Sequence, residues 1–247
     1  MKLRHSTSVL LGALLFICGS AFATPVGAGS FNVVGTVQGT STGLNFYFGA
    51  PGDQKGAITL PATGVFSGLT AGTVQTVQNL TVANGVIPGT NFNFQNWIQL
   101  TNGINLNATQ IPVDMAIPVC SGTSFDNPIN PSPCRPTATS PVVLLQKAGQ
   151  TGGPNGVSAS LTINGFAHFN GDSDLTPFIG TFNAADSDFA TVSELVAAYN
   201  ANGGVPVVSY QASFTTMVIP EPMTMAFLGL GLLGIGICRK TRLNRKA

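Results

Sequence analysis

Apolar and polar residues alternate with a period of two in several stretches of the chain. Leu44, Phe46 and Phe48 alternate with Asn45 and Tyr47. Val157, Ala159, Leu161 and Ile163 alternate with Ser158, Ser160, Thr162 and Asn164, and Val208, Tyr210, Ala212 and Phe214 with Ser209, Gln211, Ser213 and Thr215. Successive side chains of a strand point to opposite faces, so each run predicts a strand with one apolar face and one hydroxyl or amide face. Antiparallel sheets buried on one side read this way. Turn dipeptides punctuate the runs: Pro51-Gly52, Asn84-Gly85, Pro88-Gly89, Asn102-Gly103 and Asn155-Gly156. Many short strands with frequent turns predict an all-β fold, a sandwich or a barrel. An antiparallel β-sandwich-like domain is the expectation.

One segment departs from this pattern. Phe189 to Asn202 predicts a short helix, because Thr191 and Glu194 have capping-box spacing and Leu195, Val196 and Tyr199 form a small apolar stripe. Gly203 and Gly204 would end it. Residues 24–217 read as one exported β domain with no fixed-period repeat and no long linker. Thr24 to Ser30 reads as a flexible start, and the Pro-rich stretch from Asn127 to Pro141 as a loop.

Composition changes the picture in one respect. Only 8% of the 247 residues are charged, whereas soluble domains are about a quarter charged. The charges that exist are unevenly placed. Residues 24–219 hold three basic side chains (Lys55, Arg135, Lys147) against eight acidic ones, a net charge of −5. Such a domain repels phosphate backbones, which excludes nucleic acid as a partner. The remaining basic residues stand at the two ends.

At the N-terminus Lys2 and Arg4 precede an apolar run from Val9 to Cys18, followed by Ala21-Phe22-Ala23. A basic start, a short apolar core and small residues in an A-x-A pattern predict a signal peptide over 1–23, cut by signal peptidase after Ala23. Cys18 is no lipid-attachment site by this reading, because Phe16 and Ile17 before it are too bulky for a lipobox. Export places Cys120 and Cys134, the two cysteines between the ends, in an oxidising compartment, where a disulfide is the natural pairing. Two cysteines without a nearby histidine make only half a zinc site.

The C-terminus has three parts in order. Pro220-Glu221-Pro222 comes first, then the uncharged run Met223 to Cys238, then Arg239, Lys240, Arg242, Arg245 and Lys246 within residues 239–247. As a helix the uncharged run is about 24 Å long, short for a hydrocarbon core of about 30 Å. Its glycines suit a membrane helix, and the basic cluster should stay cytoplasmic, leaving the body of the protein beyond the inner membrane. A plain stop-transfer anchor accounts for the helix and the charges but not for Pro-Glu-Pro. This arrangement, over residues 218–247, resembles the PEP-CTERM sorting signal of exopolysaccharide-producing Gram-negative bacteria. Pro220, Glu221 and Pro222 carry the match, with Arg239 and Lys240 as the basic stop. The resemblance implies recognition by exosortase, a membrane cysteine transpeptidase-like enzyme, and cleavage near the motif. It implies a transient membrane anchor and then release or transfer to the cell surface.

Candidate chemistry in the β domain is sparse. His168 falls on the polar side of the strand that starts at Val157 and reads as a surface histidine. Gly39-Thr40-Ser41-Thr42-Gly43 matches the nucleophile-elbow pattern, but that motif needs a helix after the turn and a strand follows here, so a hairpin is expected. Asp172-Ser173-Asp174 and Asp186-Ser187-Asp188 are twin acidic triplets. They are weak calcium candidates, lacking the glycine and terminal glutamate of a calcium loop. Trp97, Tyr47, Tyr199 and Tyr210 could form a sugar platform, although most aromatics fit core positions. The expectation is a non-enzymatic surface or extracellular-matrix protein, associated with exopolysaccharide and without a cofactor. A carbohydrate-binding or adhesive module is the alternative, and a secreted hydrolase ranks below both.

Overall fold

The computed structural model describes residues 26–40, 43–49, 53–148, 156–172, 174–186, 189–202 and 208–217. The signal segment with Ala21 and Ala23, the motif Pro220-Glu221-Pro222, the apolar run 223–238 and the basic end lie outside the described residues. No helix among the described residues is long and apolar enough to cross a membrane.

The described chain is all-β with one short helix. Its strands are β1 (Gly29–Thr40), β2 (Gly43–Tyr47), β3 (Lys55–Gly64), β4 (Val74–Val77), β5 (Leu80–Thr81), β6 (Asn91–Gln99), β7 (Ile104–Gln110), β8 (Val143–Lys147), β9 (Gly156–Phe169), β10 (Thr176–Asp186) and β11 (Val208–Thr216). The helix α1 (Val192–Asn202) connects β10 to β11. Eight strands run in the order β11-β10-β9-β7-β6-β4-β3-β1, and β1 pairs back onto β11. The expected sandwich is therefore replaced by a closed antiparallel barrel. Closure follows from β1, which pairs with β11 along Gly29 to Val37 and with β3 along Gly29 to Val34. A closed ring leaves no strand edge open.

The barrel interior is packed with aromatic rings set against small residues. Along β10 and β11 the inward cross-strand partners are Phe178↔Thr216, Gly180↔Phe214, Phe182↔Ala212 and Ala184↔Tyr210. Each large side chain faces a small one, so rings from both strands fit between two adjacent backbones. Phe31 stacks on Phe214 with ring centroids 4.9 Å apart, and Phe182 meets Phe214 edge-on at 5.6 Å. Trp97 is fully buried among Phe46, Phe178, Phe182 and Phe214. Its indole N–H donates to the Gln78 carbonyl at 3.0 Å, which satisfies the polar end of a buried ring. The outward positions of β11, Ser209, Gln211, Ser213 and Thr215, are exposed. A membrane barrel carries its apolar band outside; this one carries it inside.

Two strands outrun the ring at one pole. The last part of β1, Thr36 to Thr40, pairs with β2, and β2 pairs with β5. The first part of β9, Gly156 to Ser160, pairs with β8. On the β8–β9 extension sits a second small core of Cys134, Leu144, Val157, Val192 and Leu195. Cys120 and Cys134 form a disulfide beneath α1, as expected from their isolation in the exported domain.

Helix α1 starts as its sequence predicts. Thr191 Oγ1 accepts from the Glu194 amide at 3.2 Å, and the Glu194 carboxylate accepts from the Thr191 amide at 3.2 Å and the Ala190 amide at 3.0 Å. Two more side chains satisfy its first amides: Gln146 Oε1 takes Val192 and Asp126 Oδ1 takes Ser193, both at 2.9 Å. Gln146 is buried and its amide group also donates to the carbonyls of Ala190 and Gly156. The residues expected to end the helix, Gly203 and Gly204, lie outside the described residues.

Both ends of the described chain meet at the opposite pole. Gly29 is the register partner of Thr216, whose hydroxyl donates to the Gly27 carbonyl at 2.8 Å. The expectation of a flexible start over Thr24 to Ser30 is corrected here for the described part. Val26 is fully buried and its carbonyl accepts from Thr176 Oγ1 at 2.6 Å, while β1 begins at Gly29. An apolar side chain that can reach the core overrides a loop-like composition.

Candidate functional site

A concavity lies between the two strand extensions. It is a cleft of about 780 Å³, walled on one side by β1, β2 and β5 and on the other by β8, β9 and the start of β11. Leu44, Leu80, Leu144 and Val157 form its floor, with Ile111 at the end of the barrel wall. Leu80, Ile111, Leu144 and Val157 are buried, whereas Val82 and Ile87 stand about half exposed at the mouth. The loop before β8 brings Thr137, Thr139 and Ser140, and α1 brings Tyr199 and Asn200. Among the described residues no charged side chain belongs to the lining.

Local chemistry explains the loop and the helix that bound it. Arg135 is buried, and its guanidinium donates to the carbonyls of Ile117 (2.9 Å) and Ala138, tying the 115–118 turn to the 135–140 loop. Ser140 Oγ accepts from the Val142 amide at 3.2 Å and so turns the chain into β8. Tyr199 reaches across the cleft and its hydroxyl donates to the Thr40 carbonyl at 3.2 Å. Burial pushes the Tyr199 hydroxyl pKa above its ordinary value, so the group is a hydrogen-bond donor throughout the neutral range.

The residues singled out from sequence fall elsewhere. His168 lies on β9, its Nδ1 3.0 Å from the Phe169 carbonyl and its Nε2 3.4 Å from Asn107 Oδ1. In the elbow-like pentapeptide Thr40 pairs with Gly43 across a β1–β2 hairpin, as expected, and Ser41 lies outside the described residues. Asp172 Oδ1 accepts from the Asp174 amide at 3.1 Å in a local turn before β10. Asp186 ends the same strand, so at ~3.3 Å per residue the two acidic triplets lie roughly 35 Å apart and cannot share one ion. The side chains of Asp186 and Asp188 are outside the described residues, and among those described no group of three or more His, Cys, Asp or Glu is placed to hold a metal.

Of the four aromatics considered for a sugar platform, Trp97, Tyr47 and Tyr210 are buried, Trp97 and Tyr210 in the barrel core. Tyr199 is the one that lines this cleft. The cleft itself was not foreseen, because its walls come from at least eight separate chain segments whose apolar residues read as ordinary core. The half-exposed Val82 and Ile87 beside Pro88-Gly89 are the one local signal.

The described residues form a closed β-barrel whose last strand is followed along the chain by a C-terminal address. That address is a PEP-CTERM protein-sorting motif: its family model matches residues 218–240. No curated protein and no solved structure matches the chain. The motif marks the protein as an exosortase target, exported and held by a transient C-terminal anchor before placement at the cell surface or outside the cell.

Proposed function

We propose that the barrel is a non-enzymatic surface or matrix component, retained in exopolysaccharide after exosortase has removed its tail. The observation that carries this reading is the outer wall of β9, β10, β11 and β1. Ser209, Gln211, Ser213 and Thr215 lie in register with Asn183, Thr181 and Ser160, Thr162 on one side and with Thr36, Asn32 and Ser30 on the other. This is a largely neutral polar face, interrupted by Val34 opposite Gln211 and by the exposed Ile179 opposite Thr215, with about 4.8 Å between rows. Hydroxyl-rich polymers pair with such a surface through hydrogen bonds, with little dependence on salt.

The employment of acidic side chains supports the non-enzymatic part. Asp53, Asp114, Asp126, Asp172 and Glu194 each accept from a backbone amide in a turn or at a helix start. A pair of carboxylates flanking a cleft, as glycoside hydrolysis requires, is not formed by these five. Trp97, Tyr47 and Tyr210 are buried, so this reading relies on the polar wall rather than on aromatic stacking.

The test is co-sedimentation of the processed protein with exopolysaccharide from its own host. Retention should persist in high salt and fall several-fold when Asn183 and Gln211, both exposed, are changed to Ala. Equal retention of wild type and variant would remove the wall as the contact. Release of new reducing ends, abolished by one Asp→Asn change, would replace the reading with a hydrolase.

A further inference from the structure

We propose that the cleft at the pole distant from the sorting tail is a binding site for a neutral, elongated aliphatic molecule, such as the alkyl chain of a fatty alcohol or acyl ester. Its volume of about 780 Å³ falls in the usual range of small-molecule sites, which occur at the mouths of β-barrels. Three features select the ligand class.

The first is charge. Among the described residues no lining side chain is ionisable near neutrality, so a carboxylate or ammonium entering this apolar space would lose its hydration without a partner there. A neutral ligand loses nothing of that kind. The second is shape chemistry. The floor is branched aliphatic, from Leu44, Leu80, Leu144 and Val157, and Tyr199 is the single aromatic in the lining. Such a surface favours a flexible alkyl chain over a sugar. The third is a small share of neutral polar groups. Thr137, Thr139 and Asn200 place hydroxyl and amide groups in the lining, where an alcohol or ester can hydrogen-bond while the chain lies inward.

The experiment uses the processed protein from its host. Phenylnaphthylamine, a neutral apolar fluorophore, is titrated, then displaced with dodecanol, dodecanoate or a glucose oligomer. The expected result is saturable binding at one site, displacement by dodecanol, and little by dodecanoate or the oligomer. Changing Val82 and Ile87 together to Lys should weaken the probe about tenfold, equivalent to about 1.4 kcal/mol. Both residues are more than half exposed, so the variant keeps its fold, as an unchanged melting temperature would verify. Ile129→Lys, at a strongly exposed position outside the cleft lining, is the control and should bind as wild type. Absence of saturable binding, unchanged affinity in the double variant, or equal displacement by dodecanoate would each overturn the proposal. No polysaccharide takes part, so this result and the retention result stand or fall separately.

Discussion

Three glycines lie directly across a strand pair from an aromatic ring: Gly35 from Tyr210, Gly165 from Phe178 and Gly180 from Phe214. A methyl group at Gly165 would meet the Asn107 carbonyl oxygen at 2.0 Å and the Phe178 ring at 2.6 Å, neither of which can retreat within a closed sheet. Gly165→Ala is expected to cost about 2 kcal/mol or more by overpacking, read from denaturant midpoints. Gly68→Ala, where a methyl group meets open space, is the comparison and should lie within about half a kcal/mol of wild type. Tyr210 makes a second prediction. Gly35 and Gly56 admit its hydroxyl between β1 and β3, yet that hydroxyl has no hydrogen-bond partner among the described residues. Tyr210→Phe should therefore be neutral or stabilise by about 1 kcal/mol. Burial, reinforced by the negative charge of Asp53, raises the Tyr210 pKa far above the ordinary tyrosine value. The unfolded chain releases this proton near pH 10 while the folded chain keeps it, so stability is intact below pH 10 and falls as pH rises beyond it. The Phe variant should lose less stability over that alkaline range, as urea titrations at stepped pH would reveal.

At the scale of elements, β9 and β11 were legible because one face meets the core and the other meets water, which imposes a period of two on the sequence. The start of α1 was legible because capping is local: Thr191 and Glu194 lie three residues apart and bond each other. Closure of the barrel was not, since it depends on β1 meeting β11, a pairing that joins Gly29 to Thr216 and leaves no trace in either strand's own pattern. The phase of β6 was hidden for a different reason. Asn96 adopts a positive φ of 52°, the pairing with β7 shifts around it, and Trp97 and Ile98 are both buried in succession. Strict alternation would have left one of them in water. The cleft was illegible because no single element contains it. Its helical wall hangs on the disulfide and on Gln146, so reduction should act on this pole. Opening the 15-residue Cys120–Cys134 loop should lower stability by about 3 kcal/mol, visible as a lower melting temperature with a thiol reductant. Hydrogen exchange should then rise in α1 and β8 before it rises in β10 and β11, because the second core is small and the barrel core is not.

On the scale of the whole molecule, the two poles have different tasks. The chain enters and leaves the barrel at one pole, where Val26, Gly29 and Thr216 are tied together, and the sorting motif begins at residue 218, one residue past the last described position. The cleft opens at the other pole. While the tail is still in the membrane, five residues of linker hold the tail pole within about 18 Å of the bilayer, and the expected orientation has the cleft facing away from it. This orientation is testable in cells that lack exosortase, where the anchored precursor accumulates. Ser67, exposed near the tail pole, and Asn84, exposed beside the cleft mouth, are each changed to Cys and labelled with a donor dye, with an acceptor dye in the membrane. Energy transfer should be strong from position 67 and weak from position 84. Equal transfer from both would mean that the barrel lies on its side, which would bring the neutral outer wall rather than the tail pole against the headgroups. With exosortase restored, transfer should vanish from both positions as the anchor is removed, and a Glu221→Ala change that blocks processing should keep it.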